Sequence, residues 1–272
     1  AASGLNQWST DWVAMGATTD RRGLLDPDRI AVIGATGRDG SVGRALIENL
    51  SKCDGEVIPV NPNREDVLGR ECYSDIGSVP DPATIDLAVV AVPAAVAVET
   101  VRQVGEQEID TVVVITAGFS ETDEEGRRRE EELIAVADDY DLNLVGPNSV
   151  GVMSTSTGLD ATFLDGYPPE GSLSLISQSG AFIAAVIGWA VQYDIGFNNI
   201  VSLGNEAVLD ETDFIRQWDA DPNTDVILVY IEEVDDGTQF IEVAREVTDT
   251  TPIVAIKSGR TEAGAAAAKS HT

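Results

Sequence analysis

The sequence has little cysteine, almost no histidine and few positive charges, and each shortage excludes something. Two cysteines in 272 residues, Cys53 and Cys72, make neither a disulfide framework nor a CxxC pair. One histidine, His271, leaves too few ligands for an ordinary zinc site. Lysine and arginine number 17 against 47 aspartates and glutamates, a net charge of −30. The lysines are Lys52, Lys257 and Lys269 alone. A surface this negative repels nucleic acid and anionic membranes. No run of about 18 apolar residues is present, so no membrane span is expected. The first residues, AASGLNQWSTDWVAMGATTDRRG, lack a cationic stretch feeding an apolar one, so no secretory signal is read and a cytoplasmic protein is expected. The acids are dispersed and repel one another, and salt relieves that, since the Debye length falls to about 3 Å at 1 M. The charge therefore predicts a protein of a high-salt organism.

What is present suits a globular chain. The hydrophobic fraction is 43%, and the length suffices for two domains of roughly 130 residues. Short β-branched runs recur: IAVIGA (30–35), EVIPV (56–60), DLAVVAVP (86–93), TVVVITAG (111–118) and NLVG (143–146). SLSLIS (172–177), NIVSLG (199–204), DVILVYIE (225–232) and TPIVAIKSG (251–259) follow. Apolar strands bounded by Gly, Pro and Asn, alternating with helical patterns, predict βαβ units and parallel sheets covered on both faces. Helices are expected over 42–50, 94–106, 120–139 with Ser120 at its start, and 179–193, which is nearly all apolar and reads as buried. Residues 151–171 carry no strong helix or strand signal, which places a domain boundary near 150–170. The expected division is an arm or linker over 1–24, a first domain over 25–152 and a second over 153–272. Trp8 and Trp12 in the arm show no partner pattern.

Two loops read as anion sites. After the first strand comes GATGRDGSVG, with glycines at 34, 37, 40 and 43. A glycine turn between a strand and a helix N-terminus points backbone N–H groups at a phosphate, and the helix dipole favours its charge. A dinucleotide fits poorly. GxGxxG spacing would need glycines at 36 and 39, where Thr36 and Asp39 stand, and the second strand ends in Val60-Asn61-Pro62 without the acid that holds a ribose. The second loop, Ser177-Gln178-Ser179-Gly180, joins a strand to an apolar helix. Taken alone it reads equally as helix capping. Likewise His271, in a small-residue tail, reads alone as a frayed end, although neutral imidazole is a competent nucleophile near pH 7. Glu232 and Glu233 close a strand at the end where open α/β sheets place ligands, and a carboxylate there is suited to orient an imidazole.

From about residue 24 onward the chain resembles the α portion of ADP-forming acyl-CoA synthetases, in the succinyl-CoA synthetase superfamily. LLDPDRIAVIGATGRDGSVGRAL, VIPVNPN, IDLAVVAVPA, VVVITAGF, LVGPNSVGV, SLISQSGAF, VSLGNEA, VYIEEVDDGTQFIEVARE and IVAIKSGRTEAGAAAAKSHT carry the resemblance, in the family's order. It implies a Rossmann-like CoA-binding domain followed by a flavodoxin-like domain. It implies that acyl-CoA, ADP and phosphate become acid, CoA and ATP through an acyl phosphate and a phosphohistidine. CoA contacts are implied at Gly34, Thr36, Gly37, Arg38, Asp39, Asn61, Arg64, Pro93, Ile115, Thr116, Ala117 and Asn148. Phosphate contacts are implied at Ser177, Gln178, Ser179 and Gly180, the histidine-orienting acid at Glu232 and the phosphorylated residue at His271. ADP or ATP with Mg²⁺ is implied on an ATP-grasp domain that this sequence does not contain. The chain is therefore expected to be a fragment or a subunit that works with an ATP-grasp partner in an oligomer. A CoA-binding regulatory module fused to an acetyltransferase, and a succinyl-CoA synthetase α-type subunit, are the alternative readings. Glu233 stands where many relatives have glycine.

Overall fold

A computed structural model describes residues 22–234 and 236–258. A short helix α1 (Arg22–Leu25) leads into the first sheet. Its strands are β1 (Arg29–Ile33), β2 (Glu56–Val60), β5 (Leu87–Val90), β6 (Thr111–Val114) and β7 (Asn143–Val145), all parallel in the order β2-β1-β5-β6-β7. Helices α2 (Val42–Leu50), α3 (Ala94–Glu106) and α4 (Glu124–Tyr140) connect them, and a two-stranded ribbon, β3 (Asp66–Val67) and β4 (Arg70–Glu71), follows β2. Burial is complete over β5 and β6 (LAVV and TVVV), which is why no polar alternation shows in those strands.

The second sheet contains β8 (Gly151–Ser154), β9 (Leu159–Thr162), β10 (Glu170–Ser177), β11 (Phe197–Ser202), β12 (Val226–Ile231) and β13 (Ile253–Lys257), ordered β13-β12-β10-β11-β8-β9. β10 to β13 are parallel, whereas β8 pairs antiparallel with both β11 and β9. Helices α5 (Gly180–Tyr193), α6 (Glu211–Asp219) and α7 (Gly237–Val247) complete this half. One apolar cluster runs through both halves, from Ile30, Leu46 and Ile47 through Leu159 and Ala161 to Ile176, Phe214 and Trp218. The Asn49 side chain seals the junction by donating to the Thr162 and Leu164 carbonyls at 3.0 Å each.

Three expectations are corrected. Residues 151–162 form the β8–β9 hairpin. α4 begins at Glu124, not near Ser120, because the Asp123 carboxylate caps it by accepting from Gly126 N. α5 is not a buried helix. Ile183, Ile187 and Ala190 face the sheet, but Trp189, Val191 and Tyr193 are 58%, 51% and 66% exposed, and on the same domain Val254 and Ile256 of β13 are about half exposed. An all-round apolar helix is ordinarily buried on all sides. Here the described residues provide a layer on one side only.

Inside the hairpin, Asp160 is 1% exposed. Its Oδ1 accepts from Thr162 N and Oγ1, but Oδ2 is buried without a partner among the described residues. Burial raises this carboxyl to about 6, against the opposing pull of the Thr162 donors. A raised acid leaves the fold unpenalised below the unfolded value near pH 4; the penalty grows up to pH 6 and holds above it, reaching at most roughly 3 kcal/mol. Asp160→Asn is therefore expected to melt several degrees higher relative to wild type at pH 8 than at pH 4.5. Thermal melts giving an equal shift at both pH values contradict the assignment.

Candidate functional site

The first sheet's strands all run the same way, so the residues after β1, β5, β6 and β7 gather along one edge. That edge holds Gly34 to Asp39, Pro93, Ile115 to Ala117 and Asn148. β1 connects to β2 on one side and β2 then crosses to β5 on the other, so the 34–40 loop lies at the switch point of the sheet, where doubly wound folds bind ligands. Ser41 precedes α2 as its N-cap residue, and the helix's first amides lie beside the loop.

The loop glycines divide by role. Gly34 has φ +98°, and a Cβ there would lie 2.2 Å from Ala91 O. A Cβ on Gly43 would lie 2.3 Å from Gly34 O. These two fix the contact between strand turn and helix. Gly37 has neither constraint: its φ is not positive, and a Cβ would meet only Leu68 Cδ2, at 3.8 Å. Neither backbone conformation nor packing requires a glycine there.

The surrounding side chains hold this loop. Asn61 donates to Ala35 O at 2.7 Å and accepts from Asn63 N, so it braces the loop from β2. Thr36 Oγ1 accepts from Arg38 N. Arg44, which the sequence reading missed, donates to Gly37 O at 2.9 Å, to Asp39 Oδ1 at 2.5 Å and to Glu48 Oε1 at 2.8 Å. It pairs with Asp39, the one acid of the 34–40 loop; its one sequence signal is the i, i+4 pair with Glu48. Arg38 and Arg64 are exposed, and neither has an ion-pair partner among the described residues despite the excess of acids. Thr116 Oγ1 donates to Val92 O at 2.8 Å, and Asn148 N donates to Thr116 O at 2.9 Å, locking the neighbouring strand ends together.

The second loop follows β10. Ser177 is fully buried; its Oγ donates to Ser179 O and accepts from Ser179 N. Ser179 caps α5 by accepting from Phe182 N at 3.4 Å. The opening amides of α5 have no intrahelical partners. β12 runs beside β10, with Ser177 opposite Tyr230, so the Glu232 turn adjoins this loop. Gln178 ties the two together: its Oε1 accepts from Glu232 N at 2.6 Å and Glu233 N at 2.9 Å, and its Nε2 donates to Glu233 O at 2.8 Å and Glu206 Oε2 at 2.7 Å. Lys257 Nζ donates to Glu232 O. With its backbone held from two sides, the Glu232 carboxylate has no ion-pair partner among the described residues. His271 lies outside the described residues.

A third segment, also missed, joins the two loops. Asn205 accepts from Asn148 Nδ2 and donates to Glu121 Oε2 at 2.7 Å. Burial alone would raise the Glu121 carboxyl, but hydrogen bonds from Asn205 and the Gly118 and Phe119 amides outweigh it and hold it below the usual range. The next residue, Glu206, reaches Gln178.

Comparison with known proteins agrees with this architecture. A CoA binding domain model matches residues 28–155, and a succinyl-CoA ligase like flavodoxin domain model matches residues 170–272. The chain is 43% identical over 249 residues to acetate–CoA ligase [ADP-forming] I of Archaeoglobus fulgidus, covering 92% of this chain and 36% of that one. It is 41% identical to the α subunit of acetate–CoA ligase [ADP-forming] II of Pyrococcus furiosus, covering 92% of this chain and 54% of that one. Among solved structures it resembles the dinucleotide-forming acetyl-coenzyme A synthetase 1 of Ca. Korarchaeum cryptofilum in complex with phosphate and ADP. The TM-score is 0.87 at 39% identity, over 93% of this chain and 54% of that one. The chain thus spans between a third and somewhat over half of these relatives. With both domain models in succession and these identities across nine-tenths of its length, the chain belongs to the proteins that join a CoA binding domain to a succinyl-CoA ligase like flavodoxin domain, and it is similar to that part of the ADP-forming acetate–CoA ligases.

Proposed function

We propose that this chain binds the CoA and phosphate of an ADP-forming acyl-CoA synthetase and carries its phosphohistidine. Phosphate bound at Ser177–Gly180 attacks the thioester carbonyl, giving an acyl phosphate and releasing CoA as its thiolate. His271 then attacks the phosphorus, and the carboxylate leaves. The phosphoryl group passes from His271 to ADP with Mg²⁺ on an ATP-grasp partner. Glu232 orients the imidazole and balances the charge it gains in the step. Gly34 to Asp39 and Arg64 hold the CoA phosphates, while Pro93, Ile115 to Ala117 and Asn148 line the strand ends beside them.

The observation that carries the reading is Gly37, a glycine without a positive φ or a close packing contact, in a loop whose exposed Arg38, like the exposed Arg64, has no ion-pair partner among the described residues. Backbone amides and local arginines suit a chain of net charge −30, whose long-range field repels a polyanion. Molar salt screens that repulsion, and we assign the charge to a protein working at high salt. The test is calorimetric titration of CoA into the full-length protein at about 1 M KCl, with NADH as control. CoA binding without NADH binding is the expected result. NADH binding alone overturns the assignment of the first loop.

A further inference from the structure

Asn205 follows β11 of the second sheet, yet its side chain bonds to the first half of the chain. Its Oδ1 accepts from Asn148 Nδ2 at 3.2 Å, and its Nδ2 donates to Glu121 Oε2 and Glu130 Oε2 at 2.7 Å each and to Ser120 Oγ at 3.2 Å. Glu121 accepts in turn from Gly118 N at 2.5 Å and Phe119 N at 3.1 Å, so Asn205 reaches the amides beside Ala117 through one carboxylate. Asn148 N donates to Thr116 O at 2.9 Å. One side chain thus grips the ends of both β6 and β7, where residues implied in CoA binding gather.

The backbone around Asn205 is tied to the same edge. Asn205 N donates to Pro147 O at 2.9 Å, Ala207 N to Gly146 O at 3.1 Å and Leu209 N to Leu144 O at 3.2 Å, so 205–209 runs alongside β7, the edge strand of the first sheet. Just before it, Gly204 has φ +63°, and a Cβ there would lie 2.0 Å from Pro147 O. On the other side, Glu206 Oε2 accepts from Gln178 Nε2 at 2.7 Å, and Gln178 Oε1 accepts from the amides of Glu232 and Glu233. Asn148, Asn205, Glu206, Gln178 and Glu232 therefore form one connected path from the strand ends of the first sheet to the loop after β10.

Thioester cleavage joins a phosphate oxygen to the carbonyl carbon as the C–S bond breaks and CoA leaves as its thiolate. It needs the attacking oxygen about 3–3.5 Å from that carbon, and a misplacement of about 1 Å can cost roughly 100-fold. With CoA on one half of the chain and phosphate on the other, the junction sets that distance. Main-chain bonds at 205–209 hold the halves together, and the Asn205 side chain fixes how the strand ends meet them.

We propose that Asn205 is a positioning residue for thioester cleavage, holding the strand ends beside CoA and the phosphate loop at one spacing. This rests on reading the first loop as the CoA site and Ser177–Gly180 as the phosphate site.

The experiment uses the complete enzyme with its ATP-grasp component. It compares CoA affinity by calorimetry, phosphohistidine formed from γ-labelled ATP, and ATP formed from phosphate, ADP and an acyl-CoA that wild type turns over. Asn205→Ala is expected to lower kcat for ATP formation at least about tenfold, with KM for acyl-CoA, CoA affinity and labelling rate each within about twofold of wild type. Glu130→Ala, on α4 and outside both loops, removes one of the same bonds and should lower kcat at least about threefold with the same split. Unchanged turnover in Asn205→Ala overturns the proposal. So does a loss of labelling or CoA affinity that matches the loss of turnover, which would make Asn205 a folding residue only. If Asn205→Ala does not fold, Glu130→Ala decides, and an unchanged kcat there overturns the proposal. A wild-type enzyme that binds CoA and takes no label overturns instead the reading of the phosphate site beneath it.

Discussion

Replacing Gly34 with alanine is expected to cost at least about 3 kcal/mol of stability. The backbone there, at φ +98°, is one that L side chains rarely adopt, a penalty of about 1–2 kcal/mol by itself. The new methyl group would also lie 2.2 Å from Ala91 O and 2.7 Å from Ala91 C. Both are backbone atoms continuing β5, which pairs with β1 in the centre of the sheet, so neither can yield without breaking that pairing. Gly34 O in turn presses on Gly43 of α2, so displacement spreads to the helix. For a chain of this size the melting temperature should drop by roughly 8 °C or more. Gly188→Ala is the control: it sits in α5 with nothing within 4 Å of its Cβ and no positive φ, so alanine should be neutral or slightly stabilising. Equal melting temperatures for Gly34→Ala and Gly188→Ala would sink the packing argument.

The parallel strands were legible because burial on both faces makes them continuous apolar runs, and glycine or proline marks their ends. The ranges 42–50 and 94–106 matched α2 and α3 for a related reason: each buries one helical stripe against the first sheet. The β8–β9 hairpin was illegible because its pattern is hidden by polar residues. Ser154, Asp160 and Thr162 are all at most 1% exposed, yet in the sequence GVMSTSTGLDAT they read as a solvent loop. α5 failed in the opposite direction. Apolar composition reports that a face avoids water in the working state, not which layer covers it, and Trp189 and Tyr193 stand exposed here.

The candidate site divides the same way. Glycine loops, Asn61, Asn148 and the serines are local signals, readable from turn chemistry and from resemblance. Arg44, Asn205 and Glu206 act across 7, 84 and 28 residues of sequence, on Gly37, Glu121 and Gln178. No local pattern announces such pairs. Asn205 and Glu206 are neighbours that bond in opposite directions, one to the strand ends beside the first loop and the other to the second loop. The two candidate loops are thereby braced through one short segment, a relation that exists only after β7, β10 and β11 have come together.

Gly37 gives the sharpest separation of binding from folding. A side chain at this position meets no positive-φ strain, and its Cβ would have only Leu68 Cδ2 within 4 Å, at an ordinary contact distance of 3.8 Å. Stability should change by no more than about 0.5 kcal/mol, as for exposed sites without special geometry. The added side chain would, however, stand over the loop where phosphates must approach the amides closely. CoA affinity is expected to fall on the order of 100-fold, about 2.7 kcal/mol. Gly34→Ala loses affinity because the loop is no longer built; Gly37→Leu should lose it with the melting curve unchanged. Calorimetry and melting on the same preparation decide the point. If Gly37→Leu binds CoA like wild type, the ligand does not lie across this loop, and the exposed pair Arg38 and Arg64 would have to hold it alone. If it melts far below wild type, Gly37 has a structural role and no longer identifies the binding surface.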